Sequence, residues 1–569
     1  MGLTRREFIE QSVGVAGALI GGCVAAQPVI PPILLNHVGF LPNRPKSFLL
    51  NGSQSAPFTI VRRNSGEIEY RGVTAPGGND LGNYTIGEFD ALAAAGEFEI
   101  QTGESVSVPF TIDPQAYDPA IQKCVGYFAR QRCGDSKTGH HAPCHLDDGR
   151  RVDSGLHQDV TGGWHDACDL RKWVDATLYG MIGLQRVLEV AHPKWGQGQI
   201  IEELRWGNQY FRKMQEPDGY IMSYCGGDDG NRYTNNIIGD SDDRIIHVEP
   251  AELPVQFHFV SVQSVMARLT RDSDPNYGKS CAESAKRCLD WCEKNRSPGA
   301  ALSLAAAVIA CIEMHRLSPS DHLQDQAAGY LQKMLLLQVS TPVDQNTPLC
   351  GFFLTAPDKP EPLREIMHGN LPCLALCEAL DYFPSHPHAA AWWHALKLHG
   401  EYLRSMSDRS VFGTIPFGLY TEGDPGGNRR IGRYWYRWFM KTRKETSAQE
   451  WWVGVNAHLA SNGIGLLKAG RLLGEPELTR LSQRQLDWIL GANPFDASTV
   501  TGVGRNQPRL YRTTTFSPPT PSIPGGAMNG IGGNADDEPD IKPGSWNTCE
   551  YWTPMVCYTM WLLSELQSA

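Results

Sequence analysis

The spacing of apolar residues changes once along this chain, near residue 115, and that change constrains the fold most. Before it, ILLNHVGFL, KSFLLNG, FTIVRRN, EIEYRG, GEFEIQTG and SVSVPFTID are short runs of alternating apolar and polar residues. Side chains alternate faces along a strand, so such runs form half-buried β-strands, and the Gly, Pro and Asn between them supply turns. Six or seven strands over residues 29–112 predict a small immunoglobulin-like sandwich. That segment contains no cysteine, so an antibody-type core disulfide is excluded.

After residue 115 the repeat is helical. AALSLAAAVIACIEMH, HLQDQAAGYLQKMLLLQ, LPCLALCEAL, AAWWHALKLHGEYLRSM and ELTRLSQRQLDWILG are amphipathic or apolar all round. About twelve such segments follow Ala116, interrupted by long polar loops near 132–165, 217–248, 408–447 and 492–547. Loops of that length inside a compact domain are usually functional. The expected fold class is therefore multidomain: an Ig-like β-sandwich over 29–112, then an all-α (α/α)6 barrel over 115–569.

Residues 1–26 read as a targeting segment. Arg5-Arg6 is the twin arginine of a Tat-type signal, and a Gly-rich apolar stretch runs from Val13 to Cys23. Ile20-Gly21-Gly22-Cys23 resembles a lipobox, which would leave Cys23 lipidated; the alternative is soluble export with cleavage after Val24-Ala25-Ala26. The expected location is periplasmic, lipid-anchored or secreted, with membrane attachment only through a lipid anchor. A net charge of −11 gives no basis for binding nucleic acid or an anionic membrane. The cysteines number fifteen, and pairs such as Cys288/Cys292 and Cys373/Cys377 have helical spacing, so they read as buried free thiols rather than a disulfide framework.

Two carboxylates three residues apart follow a Gly-Gly turn in DVTGGWHDACDLRKW: Asp166 and Asp169. On one turn they can share a water, one taking its proton and the other orienting it. The bland alternative is a capping pair for the helix LRKWVDATLYGMIGLQRVL. A third carboxylate, Glu550, lies in WNTCEYW, where poorly hydrated aromatic surroundings would raise its pKa and suit it as a proton donor. Its bland alternative is the first turn of the last helix. Hydrolysis of a glycosidic bond needs this combination of base and acid. Cys133, Cys144, His145 and His165 make a Cys2His2 set suited to tetrahedral zinc; with four protein ligands the metal would be structural. His140, His141 and His157 are alternative ligands by spacing alone. Asp228, Asp229, Asp240, Asp242 and Asp243 share a polar loop that could bind calcium, against the alternative of solvated carboxylates. Arg433, Tyr434, Trp435, Arg437 and Trp438 could form sugar subsites or an irregular packed loop.

Taken together these segments resemble glycoside hydrolase family 9, in its subgroup with an N-terminal immunoglobulin-like domain. LNHVGFLP and GEFEIQTGESVSVPFTI resemble the two ends of that N-terminal domain. QRCG, HHAPCHLDD and DVTGGWHDACD follow in the family's order, then QLDWILGANPFDASTVTGVG and NTCEYW. The resemblance implies that Asp169 is the general base, that Asp166 helps hold the attacking water and that Glu550 is the general acid. It makes Cys133, Cys144, His145 and His165 ligands of a structural zinc. It implies an (α/α)6 barrel and hydrolysis of β-glycosidic bonds with inversion, the carboxyl groups about 6.5–9.5 Å apart. Arg512, Trp452 and Tyr551 take substrate-lining roles, and the partner is an oligo- or polysaccharide. The chain departs from the family at three places. Cys168 replaces a glycine between the aspartates, and Cys549 replaces the asparagine before the acid. Gln507-Pro508-Arg509-Leu510-Tyr511-Arg512 lacks the family's His-x-Arg pair. Those departures put cellulose itself in doubt as the substrate. They also motivate an alternative, a carbohydrate-binding surface lipoprotein without catalysis; a catalytic zinc is a third reading, opposed by the closed ligand set.

Overall fold

A computed structural model describes residues 31–135, 140–191, 195–226, 233–421, 429–441, 452–511 and 523–568. The targeting segment, Asp228, Asp229 and Arg512 lie outside them.

The N-terminal strands are β1 (Ile33–Leu34), β2 (Ser47–Asn51), β3 (Pro57–Arg62), β4 (Ile68–Val73), β5 (Ala75–Pro76), β6 (Tyr84–Glu88), β7 (Gly96–Thr102), β8 (Ser105–Val106) and β9 (Phe110–Ile112). They form two antiparallel sheets, ordered β1-β2-β6-β5 and β4-β3-β7-β8, with β9 also paired to β7. Alternation holds as expected: Phe48, Phe58, Ile60, Phe98, Ile100 and Phe110 point into one core between the sheets. The opposite face of the first sheet is also apolar. Its Leu34, Leu49, Tyr84 and Ile86 belong to the core of the helical domain. Polar contacts fix the same interface, including Asn36 Nδ2 to Asp487 Oδ1 and His37 Nε2 to Asp496 Oδ1, both at 2.9 Å.

Twelve helices of twelve residues or more follow among the described residues: α1 (Asp118–Gln131), α2 (Val174–Arg186), α3 (Gln197–Lys213), α4 (Leu253–Thr270), α5 (Pro275–Asn295), α6 (Ala301–Leu317), α7 (Asp321–Leu335), α8 (Leu371–Tyr382), α9 (Ala389–Ser407), α10 (Asn456–Leu473), α11 (Pro476–Ile489) and α12 (Thr553–Ser568). Their burial alternates. The even-numbered helices are buried nearly all round, whereas the odd-numbered ones keep an exposed face. A helix apolar on every side must be enclosed by others, while one with a single apolar stripe belongs outside. The contacts agree: α2, α4, α6, α8, α10 and α12 close a ring, each touching the next and α12 touching α2. This is the (α/α)6 barrel that the helical repeat predicts. Among the described residues no helix is long and apolar enough to cross a membrane.

Candidate active site

A cavity of about 660 Å³ opens at the N-terminal ends of the inner helices. Asp175 and Ala176 come from the first turn of α2, Glu252 from just before α4, and Glu365 and His368 from just before α8. Val453 precedes α10 and Trp552 precedes α12. Helix N-termini carry partial positive charge, which suits a carboxylate-rich site. Asp166 and Asp169, neighbours on one turn, and Glu550, hundreds of residues further along the chain, all line this cavity.

The turn bearing the aspartates is shaped by its glycines. Gly162 and Gly163 both have positive φ, 89° and 74°, and a Cβ at Gly163 would lie 2.7 Å from that of Tyr210. Trp164 is fully buried against Gly207, with Nε1 donating to Glu203 Oε1 at 2.7 Å. The next residues loop tightly: the Asp166 N–H donates to the Arg171 carbonyl at 3.0 Å, with Leu170 at φ 64°. Neither aspartate caps a helix, because α2 begins only at Val174 with Trp173 as its N-cap residue. Lys172–Trp173 instead pairs as a strand with Tyr224–Cys225. Glu550 is likewise not in the first turn of α12; it follows a one-turn helix, Trp546–Cys549, in extended conformation.

The three carboxyls differ in surroundings. Burial and the charges of Asp169 and Glu550 push Asp166 well above the ordinary carboxylate range. Its Oδ2 accepts from Trp552 Nε1 at 3.2 Å. Burial raises Asp169 too, but Arg171 and Arg244 oppose that shift, and Arg171 Nη1 lies 3.8 Å from Asp169 Oδ2. Burial, and then the Asp169 charge, raise Glu550 to about 8. The Cys168 thiol donates to Glu550 Oε1 at 3.0 Å. Neutral pH therefore favours a protonated Glu550 facing Asp169, the member of the trio with a cation beside it.

Behind this turn lies a cluster of four residues that could hold a metal ion. Cys133, Cys144, His145 and His165 are all buried, with ligand atoms within 4.8 Å of one another. Cys133 Sγ is 3.6 Å from His145 Nδ1, and Cys144 Sγ is 3.7 Å from His165 Nε2. A tetrahedron with zinc–sulfur bonds of about 2.3 Å and zinc–nitrogen bonds of about 2.0–2.1 Å has sulfur–nitrogen edges of about 3.6 Å, so the donor set fits. Of the alternative histidines, His157 is exposed, and His140 and His141 are not in the cluster.

Three site expectations fare differently. Trp452 and Tyr551 are not on the cavity wall. The Trp452 ring lies 4.7 Å under Lys542 Nζ, and Tyr551 is buried edge-on to Tyr127. The segment Arg433–Trp438 packs, but not as an irregular loop: Tyr434–Arg437 is a strand paired with Gly418–Tyr420 and Arg430–Ile431, Tyr434, Arg437 and Trp438 are buried, and Trp438 Nε1 donates to Asp80 of the sandwich at 2.9 Å. Aromatic cavity walls that sequence reasoning missed are Trp173, Tyr511, Trp546 and Trp552. Trp173 is backed by Tyr224 at 3.8 Å, which stacks on His247 at 3.9 Å. Cross-strand pairing builds this stack, so nothing local announces it.

The profile described as "Glycosyl hydrolase family 9" matches residues 117–312 and 429–558, more than half of the chain. The chain belongs to glycosyl hydrolase family 9. The profile described as "Cellulase N-terminal ig-like domain" matches residues 29–107. Among curated family relatives, a cellodextrinase of Butyrivibrio fibrisolvens is 30% identical over 215 residues, 33% of this chain and 39% of the relative. Endoglucanase D of Acetivibrio thermocellus is 28% identical over 295 residues, 46% of each. The chain thus spans less than half the length of these relatives. A thermostable endoglucanase from Alicyclobacillus acidocaldarius has the same fold, with a TM-score of 0.71 at 18% identity, over 95% of this chain and all of that one. A family 9 structure from Bacteroides ovatus gives 0.67 at 17% identity, over 95% of this chain and 100% of that chain.

Proposed function

We propose that this family 9 chain hydrolyses β-1,4-linked glucan-like saccharides by single displacement with inversion. The observation that carries the reading is the electrostatic split across one cavity: Asp169 beside Arg171, and Glu550 raised to about 8 by burial. Asp169 accepts a proton from the attacking water, Asp166 holds that water, and Glu550 protonates the leaving glycosidic oxygen. Trp173, Trp546 and Trp552 line the same cavity and offer aromatic faces on which sugar rings can stack.

Cys133, Cys144, His145 and His165 would hold a zinc that closes the loop behind Asp166 and, with four protein ligands, takes no part in the chemistry. The substrate is an oligosaccharide or a decorated β-glycan rather than crystalline cellulose. Tyr511, from the stretch that departs from the family, lies on the cavity wall, and Arg509 Nη2 is turned to the Pro543 carbonyl at 3.5 Å. We also assign Arg5-Arg6 an export role; N-terminal sequencing of exported protein separates processing before Cys23 from cleavage after Ala26.

The test is release of reducing ends from β-1,4-gluco-oligosaccharides, mixed-linkage glucan, glucomannan and xyloglucan, with anomers followed by NMR. Asp169→Asn and Glu550→Gln should each lower kcat by about 10²–10⁴-fold while leaving the unfolding midpoint nearly unchanged. Near-wild-type turnover in either variant would sink the assignment, and a retained anomer would refute single displacement.

A further inference from the structure

The cavity has two halves of different charge. Around Asp166, Asp169 and Glu550 the negative charge is offset. Arg171 stands beside Asp169, and burial pushes Asp166 and Glu550 toward their neutral forms. The other half holds three more carboxylates, Asp175, Glu252 and Glu365, together with His368. Asp175 lies in the first turn of α2, Glu252 immediately before α4, and Glu365 and His368 just before α8. Burial raises Asp175 only to about 6, so it is mostly ionised at neutral pH. Glu365 is held in place by the N–H groups of Ile366 and Met367, which both donate to its Oε1 at 2.9 Å. Burial lowers the His368 pKa, but Glu252, Glu365 and Asp175 outweigh it and hold the imidazole above its ordinary value. Even a charged His368 balances only one of the three carboxylates. Arg171 is the one Lys or Arg among the described residues of the cavity wall, and it belongs to the other half.

A second observation marks this half as a place for a ligand. His368 is 3% exposed, and its Nδ1 is tied to the Tyr179 hydroxyl at 2.7 Å. Its Nε2 faces the cavity with no hydrogen-bond partner; Glu252 Oε2 is 3.7 Å away, beyond hydrogen-bond reach. A buried polar atom left bare in this way is normally met by a ligand or a water. Ionised carboxylates only accept hydrogen bonds. A sugar hydroxyl can donate one, but it brings no charge and leaves three like charges facing one another. A protonated amine brings three donors and the missing positive charge. Trp173, two residues before Asp175 and backed by Tyr224 at 3.8 Å, offers a flat face for the ring that carries the amine.

We propose that this half of the cavity binds an amino sugar: a β-1,4-linked oligosaccharide whose glucosamine ammonium sits among Asp175, Glu252 and Glu365, with His368 Nε2 meeting a polar group of the same ring. The inference rests on the hydrolase reading for its reaction and narrows the substrate of that same site. A glucosamine unit keeps the β-1,4 backbone of a glucan with one hydroxyl replaced by an amine, so the roles of Asp169 and Glu550 carry over to it.

The experiment separates binding from turnover. The full chain carrying Glu550→Gln is titrated calorimetrically, at about pH 6.5, with glucosamine, N-acetylglucosamine and glucose oligomers of one length and linkage. The glucosamine oligomer should bind at least about tenfold more tightly than the neutral two, and added salt should shrink that advantage. Asp175→Asn and Glu252→Gln, each introduced into the same chain, should cut the preference for the aminated oligomer by about tenfold. Glu252 is exposed, so its variant decides the matter if Asp175→Asn fails to fold. In the parent enzyme kcat/KM should follow the same order of substrates. Equal or weaker binding of the glucosamine oligomer overturns the proposal, as does a preference that survives undiminished in Glu252→Gln. Hydrolysis of gluco-oligosaccharides without any advantage for the amine overturns this inference and leaves the hydrolase reading standing. Tight, salt-sensitive binding of the amine with no hydrolysis of any oligomer supports the amino-sugar site and refutes the hydrolase reading instead.

Discussion

Replacing Cys168 with alanine removes one hydrogen bond from Glu550, the proposed proton donor, and leaves the rest of the site in place. The thiol is 3% exposed and donates to Glu550 Oε1 at 3.0 Å. A donor stabilises the carboxylate more than the neutral acid, so this bond holds the Glu550 pKa below the value that burial and Asp169 would otherwise impose. A thiol is a weak donor, and about 1 kcal/mol of differential stabilisation is reasonable for it. At about 1.36 kcal/mol per pKa unit, losing it raises the Glu550 pKa by about 0.7 unit.

The acid must be protonated to act, so activity falls as pH rises through that pKa, about 8 in the parent chain. The alkaline limb of kcat/KM should move upward by about 0.5–1 unit in Cys168→Ala. In Cys168→Ser, whose hydroxyl can still donate, the limb should return toward the parent position. The assay is initial-rate kinetics on a soluble gluco-oligosaccharide from pH 5 to about 10, with circular dichroism confirming the fold. An alkaline limb that does not move in a folded Cys168→Ala variant refutes the coupling between this thiol and the acid.

Removal of the zinc proposed for the Cys133, Cys144, His145 and His165 cluster, or Cys144→Ser, should lower the unfolding midpoint and activity together, because a metal there would pin the loop ahead of Asp166; activity loss with an unchanged midpoint, read by calorimetry alongside metal content, would instead favour a catalytic metal. Asp148→Asn should cost about 3–5 kcal/mol in urea unfolding, since it leaves Arg244 and Lys172 buried without their anion. The same carboxyl sets an acid limit. Arg244 and Lys172 outweigh burial and hold its folded pKa well below the unfolded value of 3.8. Its contribution is thus complete above that value and is lost as pH falls below about 4; a midpoint flat from pH 6 to 3 would contradict this.

Local periodicity was enough for the two architectures. Alternation over 29–112 encodes sheets with one buried face; the apolar outer face of the first sheet, carried by Leu49, Tyr84 and Ile86, emerged only in the fold, where it joins the core of the helical domain. The helical segments reveal their ring by composition: AALSLAAAVIACIEMH has no polar face to expose, so it lies inside, whereas ELTRLSQRQLDWILG has one and lies outside. The three carboxylates that meet in the cavity, and the four cysteines and histidines that cluster behind it, could be singled out because each lies in a short segment dense in such residues.

What the sequence could not supply is whatever depends on pairing between distant segments. Whether Asp169 caps a helix or faces a cavity depends on Lys172–Trp173 pairing with Tyr224–Cys225, which delays the helix to Val174. Trp173 becomes a cavity wall only when that pairing stacks it on Tyr224. Asp242 and Asp243 were visible as acidic loop residues, but Asp147, nearly a hundred positions away, became their neighbour only through folding. The pKa of Glu550 likewise needed Asp169 and the buried wall around it. Hydrophobic periodicity is a local property of the chain and fixes which face is buried. Electrostatics and ligand sets depend on distance in space, and the chain closes those distances only when the barrel does.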